Sequence, residues 1–395
     1  MIAAQVAWDQ RFTAYDFGPG HPMHPMRLNL THQLALHLGL LDHDDVRVAT
    51  AQPADVAALA TVHTQELIGT VQRCSADPAA AHGHLGIGDG DTPAFAGMHE
   101  ASALAVGATI DCCRAVWEGR AQHGVNIAGG LHHSMPGRAS GFCVYNDAAV
   151  AIRDLLAAGA QRVAYIDIDV HHGDGVETVF WNDPRVLTVS LHQSGHTLFP
   201  GTGSPGDTGG AAAADSAVNV ALPPGTDDGG WLRAYQAVVP QVIRAFAPQI
   251  IVSQHGCDSH HCDPLAHLDL TIDGMHTAYT WIHELAHEVS QGRWVALGGG
   301  GYEVVDVVPR AWAHLIGVAG HRPVALDEPV PVAWREMVER VCGVAGPQSM
   351  GERGGAPIHY GSWDEGYHPE DPLDMAIMAT RMAVFPGLGL DPYFD

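Results

Sequence analysis

The chain has 395 residues and no lysine: all 19 of its basic residues are arginines, set against 44 acidic residues for a formal net charge of −25. A chain without ε-amines cannot be acetylated on a lysine of its own. Its acidic body repels phosphate backbones and attracts cations, which argues against nucleic acid and for a cationic substrate or patch. No apolar run approaches the roughly 18 residues of a membrane span, and with 46% apolar residues wholesale disorder is excluded too. The first residues, MIAAQVAWDQRF, lack the basic and apolar regions of a secretory signal, which predicts a cytoplasmic protein. The seven cysteines (Cys74, Cys112, Cys113, Cys143, Cys257, Cys262, Cys342) form no CxxC pair, as expected of reduced thiols. A GxGxxG dinucleotide fingerprint after a strand is also missing.

Histidine is the residue in excess, with 27 copies, several of them adjacent. As the commonest metal ligand and the physiological acid or base, it marks where chemistry is to be sought.

Short β-branched runs alternate with longer helical patterns, which predicts an α/β fold with a central, mostly parallel sheet flanked by helices. Strands are expected at Val125–Ala128, Val163–Val170, Val186–Leu191, Ile250–Gln254 and Trp294–Leu297. Helices are expected at Pro25–Leu41, Phe95–Trp117, Trp231–Phe246 and Met275–Val289, with Pro248 and Gly292 as stops. Ser204–Ser216 reads as a surface loop. After Val324 the composition turns rich in Pro, Gly and Glu, so residues 1–324 are read as the main domain and 325–395 as an extension packed on it.

The segment RVAYIDIDVHHGDG (Arg162–Gly175) carries the strongest signal. Strand alternation puts Asp167, Asp169 and His171 on one face, opposite Ile166, Ile168 and Val170. Two carboxylates and an imidazole at the end of a buried strand are costly to desolvate without a cation or bonded partners. A second strand ends at Asp258, a third at His132 and His133, and a fourth in the glycine run before Tyr302. Asp169, His171 and Asp258 make a mixed N/O ligand set with an open position, as in a catalytic zinc site. The neighbouring Cys257, His260, His261 and Cys262 are too crowded for a closed zinc knuckle. Asp167 and Asp174 are available to orient the paired histidines, and Tyr302 to donate to a developing oxyanion. The set suits hydrolysis of an amide or ester by a metal-activated water.

The blocks GHPMHPMRLNLTHQL, GGLHHSMPGRASGFCVYND, YIDIDVHHGDGVETVF, VSLHQSGHTLFPGTG, QHGCDSHHCDPLAHLDLT and LGGGGY, in this order, closely resemble the histone deacetylase superfamily. QHGCDSHHCDPLAHL, DGDTPAFAGMHE and the ending ATRMAVFPGLGLDP resemble its bacterial acetoin utilization branch most. The resemblance spans residues 15–320. It implies an arginase-like three-layer fold with a tunnel to one Zn²⁺, and removal of acyl groups from lysine side chains. By the same resemblance Asp169, His171 and Asp258 hold the metal and Tyr302 polarises the carbonyl, while His132 pairs with Asp167 and His133 with Asp174. Phe142 and Phe199 wall the tunnel, Gly141 marks its narrowest point, Leu265 and Asp91 lie at the rim, and Arg27 stands near the internal end. A potassium ion is implied on Asp167 and Ser190 with backbone oxygens of Asp169, His171 and Leu191. Fe²⁺ or Co²⁺ would suit the same ligands as Zn²⁺. The implied substrates are acetylated proteins or peptides, acetyl-CoA synthetase among them. Leu131 stands where a tryptophan is common, and Cys257 where an alanine is.

Three rival readings differ in testable ways. A binuclear ureohydrolase shares the GGxH and DxDxH patterns but needs a further carboxylate set where this chain has Ser259-His260-His261. An acetylpolyamine amidohydrolase would use the same machinery on a small cation, which the acidic charge also favours. A non-enzymatic acyl-lysine reader would lack a catalytic group, yet His132, His133 and Tyr302 are all present.

Overall fold

The computed structural model describes residues 1–395. Eight strands form one sheet: β1 (Ile2–Ala7), β2 (Val46–Ala49), β3 (Ala121–Asn126), β4 (Val163–Asp167), β5 (Val186–Gln193), β6 (Ala217–Leu222), β7 (Ile250–Gln254) and β8 (Trp294–Leu297). Their order is β2-β1-β3-β8-β7-β4-β5-β6, and every pairing is parallel. Parallel strands need crossovers, which helices supply. These are α1 (Met26–His37), α2 (Val56–Leu59), α3 (Gln65–Ala76), α4 (Met98–Trp117), α5 (Asp147–Ala157), α6 (Asp174–Phe180), α7 (Asp228–Phe246), α8 (Ile272–Ser290), α9 (Val308–Ala319), α10 (Val332–Cys342) and α11 (Pro372–Val384). No helix is long and apolar enough to cross a membrane.

The central strands β4, β5, β7 and β8 are buried along their whole length, which explains their nearly continuous apolar runs. β1, β2 and β6 were not expected: IAAQVA is rich in alanine, VRVA has only four residues, and β2 and β6 are edge strands. Strand β4 also stops at Asp167, earlier than the expected Val170, so Asp169 and His171 lie in the turn beyond it and their common direction is not strand alternation. That turn is tied by side chains instead: Asp167 Oδ1 accepts from Asp169 N at 3.1 Å, and Asp169 Oδ1 from His171 N at 3.0 Å.

The helices begin on side-chain caps, Asp227 for α7 and Thr271 for α8, a few residues ahead of the expected starts. They end on left-handed Ala247 and Gln291, one residue before Pro248 and Gly292. Residues 325–395 lie against the rest of the molecule. Trp334 Nε1 in α10 donates to Leu30 O in α1 at 3.0 Å, and Thr380 Oγ1 in α11 to Asn219 O in β6 at 2.6 Å. Arg233 of α7 grips Asp374 of α11 through two bonds of 2.7 and 2.8 Å.

Candidate active site

In the sheet β3, β8, β7 and β4 are consecutive neighbours, so the residues after their carboxyl ends converge on one patch, where open α/β sheets place ligands. His132 and His133 follow β3, Tyr302 follows β8, Asp258 follows β7, and Asp169, His171 and Asp174 follow β4.

The loop after β3 is held from several sides. Asp147 at the start of α5 accepts from Leu131 N and Gly130 N at 2.8 and 3.0 Å, and Asn146 Nδ2 donates to His132 O and Ser134 O. His132 Nδ1 then lies 2.7 Å from Asp167 Oδ2, and His133 Nδ1 2.7 Å from Asp174 Oδ1. Both dyads are buried. Burial opposes charge on His132, but Asp167 and Asp169 outweigh it and carry its pKa up to about 9. Burial and the neighbouring His132 push His133 down to about 4, against the pull of Asp174.

Asp169, His171 and Asp258 bring their ligand atoms together, with His171 Nδ1 3.1 Å from both Asp169 Oδ1 and Asp258 Oδ2. Both carboxylates are buried, and their ion-pair partners are imidazoles alone. Burial resists a charge on His171, yet bonds to the two acids raise its pKa to about 10; burial and Asp169 push Asp258 up to about 6. Two buried carboxylates and one imidazole thus converge on one point, a donor set of one nitrogen and two oxygens that suits a divalent cation. The donor set fits a zinc-like ion. At Gly300 a Cβ would fall 2.0 Å from Asp258 Oδ2, so only glycine lets the β8 loop pass this close, and its N–H donates to Asp169 Oδ2 at 2.8 Å.

A cavity of about 250 Å³ leads to this cluster, lined by Asp91, Gly141, Phe142, Phe199 and Leu265 toward its mouth and by His133, His171 and Tyr302 inside. The wall and rim residues Asp91, Gly141, Phe142, Phe199 and Leu265 line it, whereas Arg27 does not. At Gly141 a Cβ would meet His133 Cδ2 at 2.5 Å and Phe199 Cε1 at 3.0 Å, so the wall has no room for a side chain there. Phe142 next to it is held at φ 64°, with its carbonyl bound by Tyr15 Oη at 2.7 Å. Its ring meets Tyr302 edge-on, and Phe199 meets His133 in the same way. Arg27 Nη1 donates to Gly299 O and Gly301 O at 2.7 and 3.2 Å, bracing the loop that presents Tyr302. Arg27 and Leu131 also line a small separate cavity behind the site.

Ser190 faces Asp167 across the β4–β5 register, with Leu191 next along the strand and the Asp169–His171 turn above. These are the residues of the implied potassium site.

Sequence reasoning missed several contributors. Tyr165 Oη donates to Asp167 Oδ2 at 2.8 Å, and Gln254 Nε2 to Asp169 Oδ2 at 2.6 Å. His21 packs edge-on against Phe142 and reaches Asp91 O at 3.2 Å. Asp263 stands outside the ligand cluster and accepts from Tyr302 N at 2.9 Å and from Leu265 N at 3.0 Å. Tyr165 and Gln254 carried a signal, since each belongs to a strand whose end holds a site carboxylate; His21 and Asp263 gave only their place in quoted motifs. Both ring nitrogens of His260 are engaged, Nε2 with Glu352 at 3.0 Å and Nδ1 with Cys262 N at 3.1 Å.

A family model described as histone deacetylase domain matches residues 21–319. The acetoin utilization protein AcuC of Bacillus subtilis is 40% identical over 344 residues, covering 86% of this chain and 88% of that protein. AcuC of Staphylococcus xylosus is 36% identical over 321 residues, covering 78% and 80%.

Proposed function

Because the chain belongs to the histone deacetylase family, which makes it a hydrolytic deacetylase, we propose that it removes acetate from ε-N-acetyl-lysine in proteins and peptides by metal-dependent hydrolysis. The observation that carries this reading is the narrow cavity between Phe142 and Phe199, ending on His133, His171 and Tyr302. An acetyl-lysine side chain offers an unbranched apolar stem for the aromatic walls and a reactive amide at its tip. Asp91 at the mouth would hold the substrate backbone, and Leu265 would contact its flank.

Asp169, His171 and Asp258 would hold Zn²⁺, or Fe²⁺ or Co²⁺ where these are more available. When bound, the ion supplies Lewis acidity to the carbonyl and makes water nucleophilic near neutral pH. His133, neutral at physiological pH, would take the proton from the attacking water and return it to the lysine nitrogen as the C–N bond breaks. His132, charged through Asp167, would stabilise the negative charge that develops beside it. Tyr302 Oη would donate to the oxyanion. Potassium on Asp167, Ser190 and the backbone oxygens of Asp169, His171 and Leu191 would fix the His132 dyad from below. On this reading residues 1–324 are the catalytic unit and 325–395 an extension packed on it.

An acetylated polyamine could enter the same cavity, and the net charge of −25 favours that cation as well. The deciding experiment compares turnover of an acetyl-lysine peptide, acetylated acetyl-CoA synthetase and acetylated polyamines, with and without a chelator and without NAD. Efficient, chelator-sensitive peptide turnover is expected. Activity on polyamines alone would move the assignment to that substrate, and peptide turnover that survives complete metal removal would end the metal-dependent reading.

A further inference from the structure

We propose that His123, His283, His287 and His321 form a second metal site, a closed four-imidazole cage for one zinc-like divalent cation, remote from the deacetylase centre. His123 lies in the amino-terminal half of β3, whereas His132 and His133 follow the carboxyl end of the same strand. His283 and His287 lie one turn apart on α8, and His321 sits in the turn after α9.

One ring nitrogen from each residue falls within 4.8 Å of all the others. Two separations are much shorter: His123 Nε2 to His287 Nε2 is 3.2 Å, and His287 Nε2 to His283 Nε2 is 3.1 Å. In a tetrahedral zinc site with Zn–N near 2.0–2.1 Å the ligand nitrogens stand about 3.3–3.4 Å apart, so these edges are already of the required length. Hydrogen bonding does not account for them. His123 Nδ1 is 2.7 Å from Ala319 O and must carry its proton to donate there, which leaves Nε2 as a lone pair. The single proton on His287 Nε2 cannot be directed at both neighbours, and no carboxylate is paired with these rings to hold an extra one. A cation satisfies all the converging lone pairs at once. The carbonyl of Ala319 then acts as the outer partner that sets the tautomer of a metal-binding histidine.

The pair on α8 belongs to the sequence HELAH, a His-Glu-x-x-His pattern that presents two imidazoles on one helical face. In hydrolytic sites of that pattern the glutamate works beside an open metal position. Here Glu284 lines a groove with Tyr235 and Arg244, and the third and fourth ligands are both imidazoles. The cage is thus closed, a structural site that ties β3, α8 and the turn after α9. His321 takes a left-handed backbone, φ 55°, directly after Gly320 at the end of α9, where it joins the other three rings.

The test is metal analysis of the full-length protein, loaded with Zn²⁺ and then gel-filtered in zinc-free buffer. The double variant His283→Gln, His287→Gln should carry one zinc fewer per chain than wild type while deacetylating at the wild-type rate, because neither residue touches the catalytic cavity. An equal zinc content in the two proteins overturns the proposal. Should the variant fail to fold, crystals of the wild type decide: an anomalous peak at the zinc edge among the four rings supports the cage, and its absence leaves the histidines as packing alone. Loss of that ion during gel filtration, while the catalytic cluster keeps its own, also overturns it.

Discussion

The Nε2 atoms of His132 and His133 lie 3.1 Å apart, and their surroundings divide the charge between them, His132 held up to about 9 and His133 held down to about 4. Only one proton fits between two nitrogens at that distance, so a charged His132 keeps its neighbour neutral. The base that can accept a proton is then His133. His133→Ala should lower kcat by about 10²- to 10⁴-fold, the usual range for a general acid or base. His132→Ala should cost less. The opposite ranking, measured on one peptide at matched metal occupancy, exchanges the two assignments.

Tyr302→Phe removes one hydroxyl and leaves the Asp263 bond to the backbone of residue 302 intact. The kcat should fall by roughly 10²-fold or more, the contribution typical of one oxyanion donor, with unchanged metal content. A kcat near wild type would take Tyr302 out of the chemistry.

Gly141→Ala should close the cavity without unfolding the chain. The added methyl group would press on His133 and Phe199, and φ 54° at this position is unfavourable for alanine. A displacement of reacting groups by about 1 Å can cost 10²-fold, so a fall in kcat/KM of that order is expected with only a small change in Tm. Steady-state kinetics and a melting curve on the same preparation check it.

Asp258→Asn and Asp263→Asn separate metal binding from positioning. Loss of the Asp258 carboxylate should empty the cluster of metal and abolish activity. Asp263→Asn should keep that metal and lower kcat, because an amide oxygen cannot serve both Tyr302 N and Leu265 N as the carboxylate does. Elemental analysis that shows a catalytic ion lost in the Asp263 variant would revive a binuclear site.

Glu352 links the C-terminal segment to the rest of the molecule through Arg310 at 2.8 Å, His260 at 3.0 Å and Ile272 N at 3.1 Å. Burial raises its pKa, but His260 and Arg310 outweigh this and hold it at about 2, below the ordinary 4.5. A depressed folded pKa stabilises above the unfolded value, so this contribution is complete above pH 4.5 and fades as pH falls from 4.5 toward 2. Glu352→Gln should therefore lower stability at pH 7 by roughly 1–3 kcal/mol, with the deficit shrinking in acid. Melting temperatures of both proteins between pH 7 and pH 2 test the convergence.

Local order carried much of this protein. The largely apolar runs of β4, β5 and β7 mark strands buried on both faces, because a parallel sheet covered by helices leaves neither side wet. The compact spacing of Asp167, Asp169, His171 and Asp174 identified the site, because that many costly polar groups beside a buried strand call for shared chemistry. Edge strands β2 and β6 escaped detection because each is held by tertiary pairing on one side only, and the turn that aims Asp169 and His171 is set by side-chain bonds that no periodicity records. That Asp263 anchors Tyr302, and that His123, His283, His287 and His321 meet at all, were decided by strand order and helix packing. Those contacts join segments far apart in the chain, and a one-dimensional pattern holds the chemistry of each residue but not the distance between two of them.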